Sequence, residues 1–237
     1  MSAPSVTRVV LLRHGQTDFN AQGRFQGVSD IPLNNVGRAQ ARAAGRLLAH
    51  RLGGGRSRRA RVVCSPLVRA QETARIVAGA LLGVGVLPLD EGGASGAGPL
   101  IDPRLIERGY GQFEGLTRVE IERDLPGAYA VWQETGECAE AGIESSRAVG
   151  ERLRRAVESC AVGVQGATLI VVSHGSAIMR GVETMIGLDP QGFHGFRGLD
   201  NCHWSELVPD RTGEGWRLAA HNLGETVQVD ASRPITA

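Results

Sequence analysis

The chain contains no lysine: its 26 basic residues are all arginine, and the formal net charge is only +1. This absence excludes every mechanism that needs a lysine side chain as nucleophile or base. A charge so close to neutral also argues against a general attraction to nucleic acid or to a membrane surface. We therefore predict a small-molecule partner, with no nucleic-acid partner and no membrane partner.

Cysteine is scarce, and long apolar runs are missing. The four cysteines have neither CxxC spacing nor a nearby histidine of a zinc pattern: Cys64, Cys138, Cys160 and Cys202. We predict reduced thiols, a cytoplasmic protein and no metal site. No apolar run is long enough to cross a bilayer, and residues 1–4 lack the basic and apolar regions that open a secretory leader.

Strand-like and helix-like apolar patterns alternate along the chain. With 237 residues, 42% of them hydrophobic, the chain is long enough to bury one large core. The alternation predicts a single domain over residues 1–237, a three-layer α/β/α sandwich with a mostly parallel central sheet. Glycine-rich stretches predict flexible inserts near residues 53–59 and 91–99.

The element predictions follow from apolar periodicity and from turn residues. Strands are predicted at 7–12, 60–64, 100–106, 167–172, 202–208 and 216–222. Helices are predicted at 34–52, 65–82, 116–123, 128–134, 145–161 and 175–186, with a polar loop over 18–32. Asn34 or Asn35 is the expected cap of the first helix, and Ser65, followed by Pro66, that of the second. Four arginines form a basic cluster that is either a solvated loop or a site for a phosphate-rich partner: Arg56, Arg58, Arg59 and Arg61.

Two predicted strands end in the same dipeptide, since His14-Gly15 follows the first and His174-Gly175 follows the strand at 167–172. The carboxyl ends of neighbouring parallel strands meet at one edge of a sheet, and ligands bind there. We expect both histidines at that edge, together with Arg13 and Arg69. Two imidazoles and two guanidinium groups suit a small multivalent oxyanion, because the guanidinium fork donates two hydrogen bonds to paired oxygens.

The chain has no Walker-type loop and no acidic metal cluster, so arginine and histidine must meet the phosphate charge. A neutral His14 can attack phosphorus and form a phosphohistidine. Glu107 can then serve as general acid and afterwards as general base, although it can equally pair with Arg104 or Arg108. Asn20 and Gln26 either satisfy their own loop or, if that loop covers the phosphate, contact the ligand.

The ordered motifs resemble the histidine phosphatase superfamily, in the branch named for cofactor-dependent phosphoglycerate mutase. They are Leu12-Arg13-His14-Gly15-Gln16-Thr17, Cys64-Ser65-Pro66-Leu67-x-Arg69-Ala70, Leu105-Ile106-Glu107, Gly111-Gln112-Phe113-Glu114-Gly115-Leu116 and Ser173-His174-Gly175. The resemblance implies that His14 is the phosphorylated nucleophile and Glu107 the proton donor. It implies phosphate contacts from Arg13, Asn20, Gln26, Gly27, Arg69, His174 and Gly175. It also implies that no cofactor or metal is needed, and it suggests a homodimer.

The motifs leave three functions open: a phosphatase, a phosphoglycerate mutase or a non-catalytic phospholigand-binding module. Glu107-Arg108-x-Tyr110-Gly111 resembles the mutases, but Arg118 stands where they have lysine, and residues 129–132 offer no arginine pair. We therefore favour hydrolysis of a small phosphorylated metabolite. The segments Asn201-x-x-Trp204-x-x-Leu207 and Trp216-Arg217-Leu218 resemble an actinobacterial group that acts on glucosyl-3-phosphoglycerate. Four side chains are expected near the alcohol half of the ester: Arg24, Tyr110, Trp132 and His203.

Overall fold

β-Strands and helices alternate along this computed structural model, which describes residues 6–54, 59–89, 98–213 and 215–226. The strands within these ranges are β1 (Arg8–Arg13), β2 (Arg59–Cys64), β3 (Leu87–Pro88), β4 (Leu100–Ile101), β5 (Thr168–Ser173), β6 (Trp204–Pro209) and β7 (Trp216–Leu223). The α-helices are α1 (Asp18–Ala21), α2 (Asn35–Gly53), α3 (Val68–Leu82), α4 (Arg118–Asp124), α5 (Pro126–Thr135), α6 (Ser146–Ala161) and α7 (Gly175–Met185). Short 3₁₀ helices cover Pro103–Leu105, Gly111–Phe113 and Ala139–Ala141.

The described strands form one sheet in the order β3-β2-β5-β1-β6-β7, with β4 also paired to β2. The pairs made by β2 and the β1–β5 pair are parallel, whereas β6 runs antiparallel to both β1 and β7. The predicted mostly parallel sheet is therefore confirmed. Arg13 at the end of β1 is in register with Ser173 at the end of β5, so His14 and His174 emerge side by side.

Side chains of the central strands alternate between two cores, as the period of a strand requires. Val9 and Leu11 belong to one core together with α6 and α7. Val10 and Leu12 belong to the other, which includes buried residues of α2 and α3. The sheet thus lies between two helical layers, and the α/β/α prediction is confirmed.

A third apolar cluster lies apart from both faces of the sheet. Its buried members are Phe113, Ile121, Tyr129, Cys138, Ala141 and Ile143, and partly buried aromatic residues pack on it, among them Phe25, Tyr110 and Trp132. Residues 110–143 and Phe25 together are called the cap below. The aromatic rings meet mostly edge to face, for example with 5.0 Å between the ring centroids of Phe25 and Tyr110.

Four element predictions were wrong in detail. The supposed loop 18–32 contains α1, which is held by a capping box between Thr17 and Asn20. Ser65 is not a helix cap, because α3 begins at Val68 after Leu67. The strand expected over 100–106 ends at Ile101, where Asp102 caps a 3₁₀ helix that starts with proline. Pro126-Gly127 does not separate two helices but forms the first turn of α5, where proline is well accepted.

The basic cluster is only partly a solvated loop. Arg56 and Arg58 lie outside the described residues, and Arg59 is exposed. Arg61 is buried, and its Nη1 donates to the carbonyl oxygens of Cys160 and Val162 at the end of α6, at 2.8 and 2.9 Å. Cationic side chains are favourable at such an end, so Arg61 has a structural role.

The structure does not describe most residues of the two predicted inserts, near 53–59 and 91–99. Residues 55–58 and 91–97 lie outside the described ranges, and the described neighbours Gly53 and Gly54 close α2. All four cysteines are free thiols. In the part of the chain that the structure describes, no helix has the length and apolarity needed to span a membrane.

Candidate active site

His14 follows β1 directly and is buried. Its Nδ1 lies 2.7 Å from the carbonyl oxygen of Gly15, and a carbonyl can only accept. Nδ1 therefore carries the hydrogen, and Nε2 keeps a lone pair. Burial lowers the pKa of His14 well below its usual value, and the charges of Arg69 and Arg13 lower it further. His14 is thus a neutral imidazole whose Nε2 carries the lone pair.

His174 follows β5 and faces His14, with 5.1 Å between the two ring centroids. Its Nε2 lies 2.7 Å from Ser65 Oγ, and Ser65 Oγ also accepts the backbone N–H of Leu67. Among the described residues the serine hydroxyl has no acceptor other than Nε2, so we assign it as the donor, which leaves the hydrogen of His174 on Nδ1. That Nδ1 is buried and has no hydrogen-bond partner within the described structure. Burial, followed by the charge of Arg69, lowers the pKa of His174 well below its usual value.

Arg69, in the first turn of α3, is fully buried. Its terminal nitrogens donate to the carbonyl oxygens of Ser29 and Gly27 at 2.6 and 2.9 Å. Its Nε donates to His14 Nε2 at 3.3 Å. The loop after β1 thus fixes the guanidinium group against the nucleophilic nitrogen. Burial is the largest influence on the pKa of Arg69 and lowers it, but arginine remains charged in proteins.

Arg13 reaches the same edge of the sheet from the last position of β1. Its Nη1 donates to the carbonyl oxygen of Leu199 at 2.6 Å, while its buried Nε lacks a partner in the described chain. Gly175 lies against it, since a Cβ there would be 3.4 Å from that Nε. Gly15 is needed for another close approach, because a Cβ on it would come within 2.4 Å of the Gly37 carbonyl oxygen.

The Glu107 side chain is buried against the first turn of α7. Its Oε1 accepts the backbone N–H groups of Arg108 and Ala177, both at 2.8 Å. Its Oε2 accepts one longer bond from the N–H of Ser176, at 3.2 Å. Pairing with Arg104 or Arg108, the alternative considered above, is not seen: Arg104 binds Asp102 and Arg108 binds Glu137. The carboxyl group is held by backbone, and its charge acts on both Arg13 and Arg69.

The loop after β1 brings the remaining predicted residues to this edge by indirect contacts. Gly27 supplies the carbonyl oxygen that binds Arg69. Gln26 is buried, and its Oε1 accepts the hydroxyl of Thr17 at 2.8 Å. Asn20 Oδ1 accepts the N–H of Thr17 and the side-chain amide of Asn201, each at 3.2 Å. The loop therefore satisfies its own polar groups and also supports Arg69.

The four residues expected near the alcohol are not brought together. Arg24 is held in the cap by Glu120 and the Gly115 carbonyl oxygen. Trp132 packs among the cap aromatics, and His203 is buried against Gly224. Only Tyr110 approaches the catalytic edge, because its hydroxyl is hydrogen bonded to Ser176, next to Glu107.

Two residues that contact the site, Ser65 and Asn201, were not predicted to do so from the sequence. Ser65 was interpreted as a helix cap, and the 109-residue separation from His174 gave no local signal of their contact. Asn201 was noted only as a mark of lineage, yet its side chain donates to the His14 carbonyl oxygen at 3.1 Å. The available signal was the position of Asn201, a polar residue shortly before β6, which pairs with β1.

Two neutral imidazoles and two guanidinium groups therefore lie close together, beside a carboxyl group that accepts the first N–H groups of α7. Such donors suit a tetrahedral oxyanion. Among the described residues, no group of three or more histidine, cysteine, aspartate or glutamate side chains is arranged to hold a metal ion.

Comparison with known proteins gives a consistent picture. Residues 9–224 match the family described as "Histidine phosphatase superfamily (branch 1)". The glucosyl-3-phosphoglycerate phosphatase of Mycolicibacterium vanbaalenii is 31% identical over 241 residues, covering 95% of this chain and 98% of that protein. The probable phosphoglycerate mutase GpmB of Yersinia enterocolitica is 32% identical over 94% of this chain and 95% of its own length. Among solved structures, mycobacterial glucosyl-3-phosphoglycerate phosphatase Rv2419c complexed with VO3 gives a TM-score of 0.73 at 31% identity, over 91% of this chain and 99% of that one.

Proposed function

We propose, from the premise that this chain belongs to the histidine phosphatase superfamily (branch 1) and is a phosphatase, that it hydrolyses a small phosphorylated metabolite through a phosphohistidine at His14. The observation that carries the proposal is the tautomer of His14. Its Nδ1 hydrogen is committed to the Gly15 carbonyl, and Nε2 keeps its lone pair. A phosphoryl-accepting histidine needs this arrangement.

The first half-reaction transfers the phosphoryl group to the protein. His14 Nε2 attacks phosphorus, a P–N bond forms, and the P–O bond to the alcohol breaks. The departing alkoxide takes a proton from the carboxyl group of Glu107. Oε2 is the oxygen to carry that proton, since it makes one long bond whereas Oε1 accepts two short ones.

In the second half-reaction, the oxygen of a water molecule attacks the phosphorus of the phosphohistidine. The Glu107 carboxylate takes a proton from that water molecule as it attacks. The P–N bond breaks, orthophosphate leaves, and His14 and protonated Glu107 are restored. Arg13 and His174 are each proposed to donate to phosphate oxygens, from the buried Nε and Nδ1 that lack partners in the described chain. Arg69 lies beside the attacking nitrogen. Asn20, Gln26, Gly27 and Gly175 complete or support this pocket.

The substrate is proposed to be a sugar or glycerate phosphate, with glucosyl-3-phosphoglycerate as the first candidate. The identity with the mycobacterial enzymes of that name supports this choice. Mutase activity is the second candidate, because GpmB proteins are similarly related. One contact is in keeping with hydrolysis: Arg108 is buried and bound to Glu137 and to the Glu144 carbonyl oxygen, so its guanidinium group is already occupied within the protein.

Chelator-resistant hydrolysis of an aryl phosphate tests the reaction. We expect the wild-type protein to turn over with EDTA present, and His14→Ala to show no turnover above buffer. Arg69→Gln should lower kcat by about 10²–10³-fold, as loss of one preorganised donor does. His50→Ala is the matched control, because His50 is exposed on α2, and it should match the wild type.

A phosphoenzyme trapped in base and mapped to His14 by mass spectrometry would support the mechanism. Turnover of His14→Ala near the wild-type rate would refute it. Faster bisphosphate-primed interconversion of 2- and 3-phosphoglycerate than hydrolysis would replace it with the mutase. Tight orthophosphate binding without any phosphoenzyme would indicate a binding module.

Two coarser expectations accompany this proposal. A cytoplasmic location is proposed because four free thiols suit a reducing compartment. A homodimer is proposed by family resemblance alone, and light scattering after gel filtration tests it.

A further inference from the structure

The segment Leu199–His203 binds the backbone around the nucleophile from the opposite side to Arg69. The Arg13 N–H donates to the His203 carbonyl oxygen at 3.0 Å. The Cys202 N–H donates to the carbonyl oxygens of Arg13 and His14, at 3.1 and 3.3 Å. Asn201 Nδ2 adds a bond to the His14 carbonyl at 3.1 Å. We call residues 199–203 the clasp.

The clasp includes a conformation that costs free energy. Among the described residues other than glycine, only Cys202 and Asn222 have positive φ, 57° and 53°. They are linked, because Asn222 exchanges hydrogen bonds with Asp200 of the clasp, at 2.9 and 3.0 Å. Non-glycine residues in this region are uncommon and concentrate at functional sites, where the surrounding contacts enforce them.

Asn201 has a second contact, which reaches the phosphate pocket. Its Nδ2 also donates to Asn20 Oδ1 at 3.2 Å, and the Thr17 N–H is a second donor to that oxygen. These donors fix the orientation of the Asn20 side-chain amide, since an oxygen and not an NH₂ group must face them. The NH₂ group of Asn20 is then the part left to bind a ligand oxygen.

We propose that Asn201 is a positioning residue for phosphoryl transfer. Its single amide nitrogen holds the main chain of the nucleophile and at the same time sets Asn20 with its NH₂ group toward the phosphate. The inference rests on the proposed function, in which His14 is the nucleophile and Asn20 a phosphate contact. Asn201 itself acts only through these two residues.

The test is a double-mutant cycle on aryl phosphate hydrolysis. Asn201→Asp replaces the NH₂ donor with an oxygen, which repels Asn20 Oδ1 and favours the reversed Asn20 amide. We expect kcat/KM to fall about 10²-fold, at the upper end for a residue that orients others. In the Asn20→Ala background the same change should cost only about tenfold, because the hold on the His14 carbonyl oxygen is still lost but the amide to be oriented is gone.

Two further variants and a binding measurement keep the test decisive. Asn201→Leu removes the donors without adding a charge and should lower kcat/KM about tenfold. Its comparison with Asn201→Asp separates the loss of the donors from the effect of the added charge. If Asn201→Asp does not fold, Asn201→Leu replaces it in the double-mutant cycle. Asn222→Gly removes the two hydrogen bonds that hold Asp200 of the clasp. Glycine adopts the positive φ of this position without strain. The variant should lower the melting temperature but leave kcat/KM within about threefold. Titration with orthophosphate should show the same non-additivity in Kd.

Equal costs of the Asn201 changes with and without Asn20, or an equal loss of activity in Asn222→Gly, would overturn the inference. If the wild-type protein does not turn over the ester, the proposed reaction fails, and orthophosphate binding alone decides the cycle. Non-additive Kd values would then support the positioning role without the chemistry, and additive values would refute it.

Discussion

The catalytic edge of the sheet and the cap hold their side chains by different means. At the edge, main-chain groups fix the reactive side chains: carbonyls hold Arg69 and His14, and three N–H groups hold Glu107. In the cap, side chains fix one another, since Phe25 contacts Tyr110, Phe113 and Trp132 at centroid distances of 5.0 to 5.9 Å.

This difference concerns how the two regions are supported. The main chain at the edge is held by the sheet and its helices, so we expect a substitution in the cap to leave the geometry at the edge largely intact. Glu107 illustrates this support, because its carbonyl oxygen is bound by Arg152 of α6 and its carboxyl by α7, rather than by cap aromatics.

The largest expected effect tests whether the cap is an independent unit. Phe113 is fully buried in the cap cluster, and Phe113→Ala should cost about 3–5 kcal/mol by removing a packed ring and leaving a cavity. If the cap unfolds separately, hydrogen exchange should accelerate across residues 110–143 while β1 and β5 stay protected.

Leu153→Ala is the matched control, because Leu153 is equally buried but belongs to the core beneath the sheet. It should reduce protection everywhere. Uniform loss of protection in Phe113→Ala would show that the cap and the sheet unfold as one cooperative unit.

Sequence patterns predicted the edge better than the cap. The runs ending in Arg13-His14 and Ser173-His174 are long, apolar and β-branched, and their register places the two histidines together. The cap consists of short helices with weak periodicity, so its boundaries were misplaced around Pro126. Helix α1 was missed because four residues carry no period; its capping box, not its apolar pattern, makes it a helix.

The supporting contacts of the site were beyond prediction for another reason. Ser65-Pro66 is a regular helix-start signal, and nothing local reveals that the hydroxyl instead faces a histidine of a distant strand. Arg61 looked like part of an exposed basic run, but the chain buries it against carbonyls of α6. Such contacts depend on tertiary packing, which overrides local preference.

A smaller effect should distinguish the regions by pH. Burial first, and then nearby arginine charges, lower the pKa values of His14 and His174 in the folded protein. The unfolded chain therefore binds protons first as pH falls below about 6.5, and the free energy of unfolding decreases with falling pH. Each histidine can contribute up to about 1.4 kcal/mol per pH unit in that window.

Urea unfolding at pH 7.5, 6.5 and 5.5 measures this slope. His174→Gln should flatten it, whereas His50→Gln, on the exposed face of α2, should reproduce the wild type. The cap segment 110–143 contains no histidine, so acid should weaken the edge before the cap. An unchanged slope in His174→Gln would show that the acid sensitivity arises elsewhere.

The smallest effect concerns a single hydroxyl at the edge. Ser65→Ala removes the donor to His174 Nε2, so the His174 tautomer that offers Nδ1–H to phosphate is no longer enforced. A hydrogen bond of this kind is worth about 0.5–1.5 kcal/mol, and kcat should fall by roughly two- to tenfold at unchanged fold. Ser205→Ala is a matched control, because Ser205 is also buried and bonded to a histidine, His221, at 2.9 Å, away from the catalytic edge. Both variants should lose similar stability, but only Ser65→Ala should lose turnover; equal kcat in the two would mean that Ser65 only packs the edge and does not orient His174.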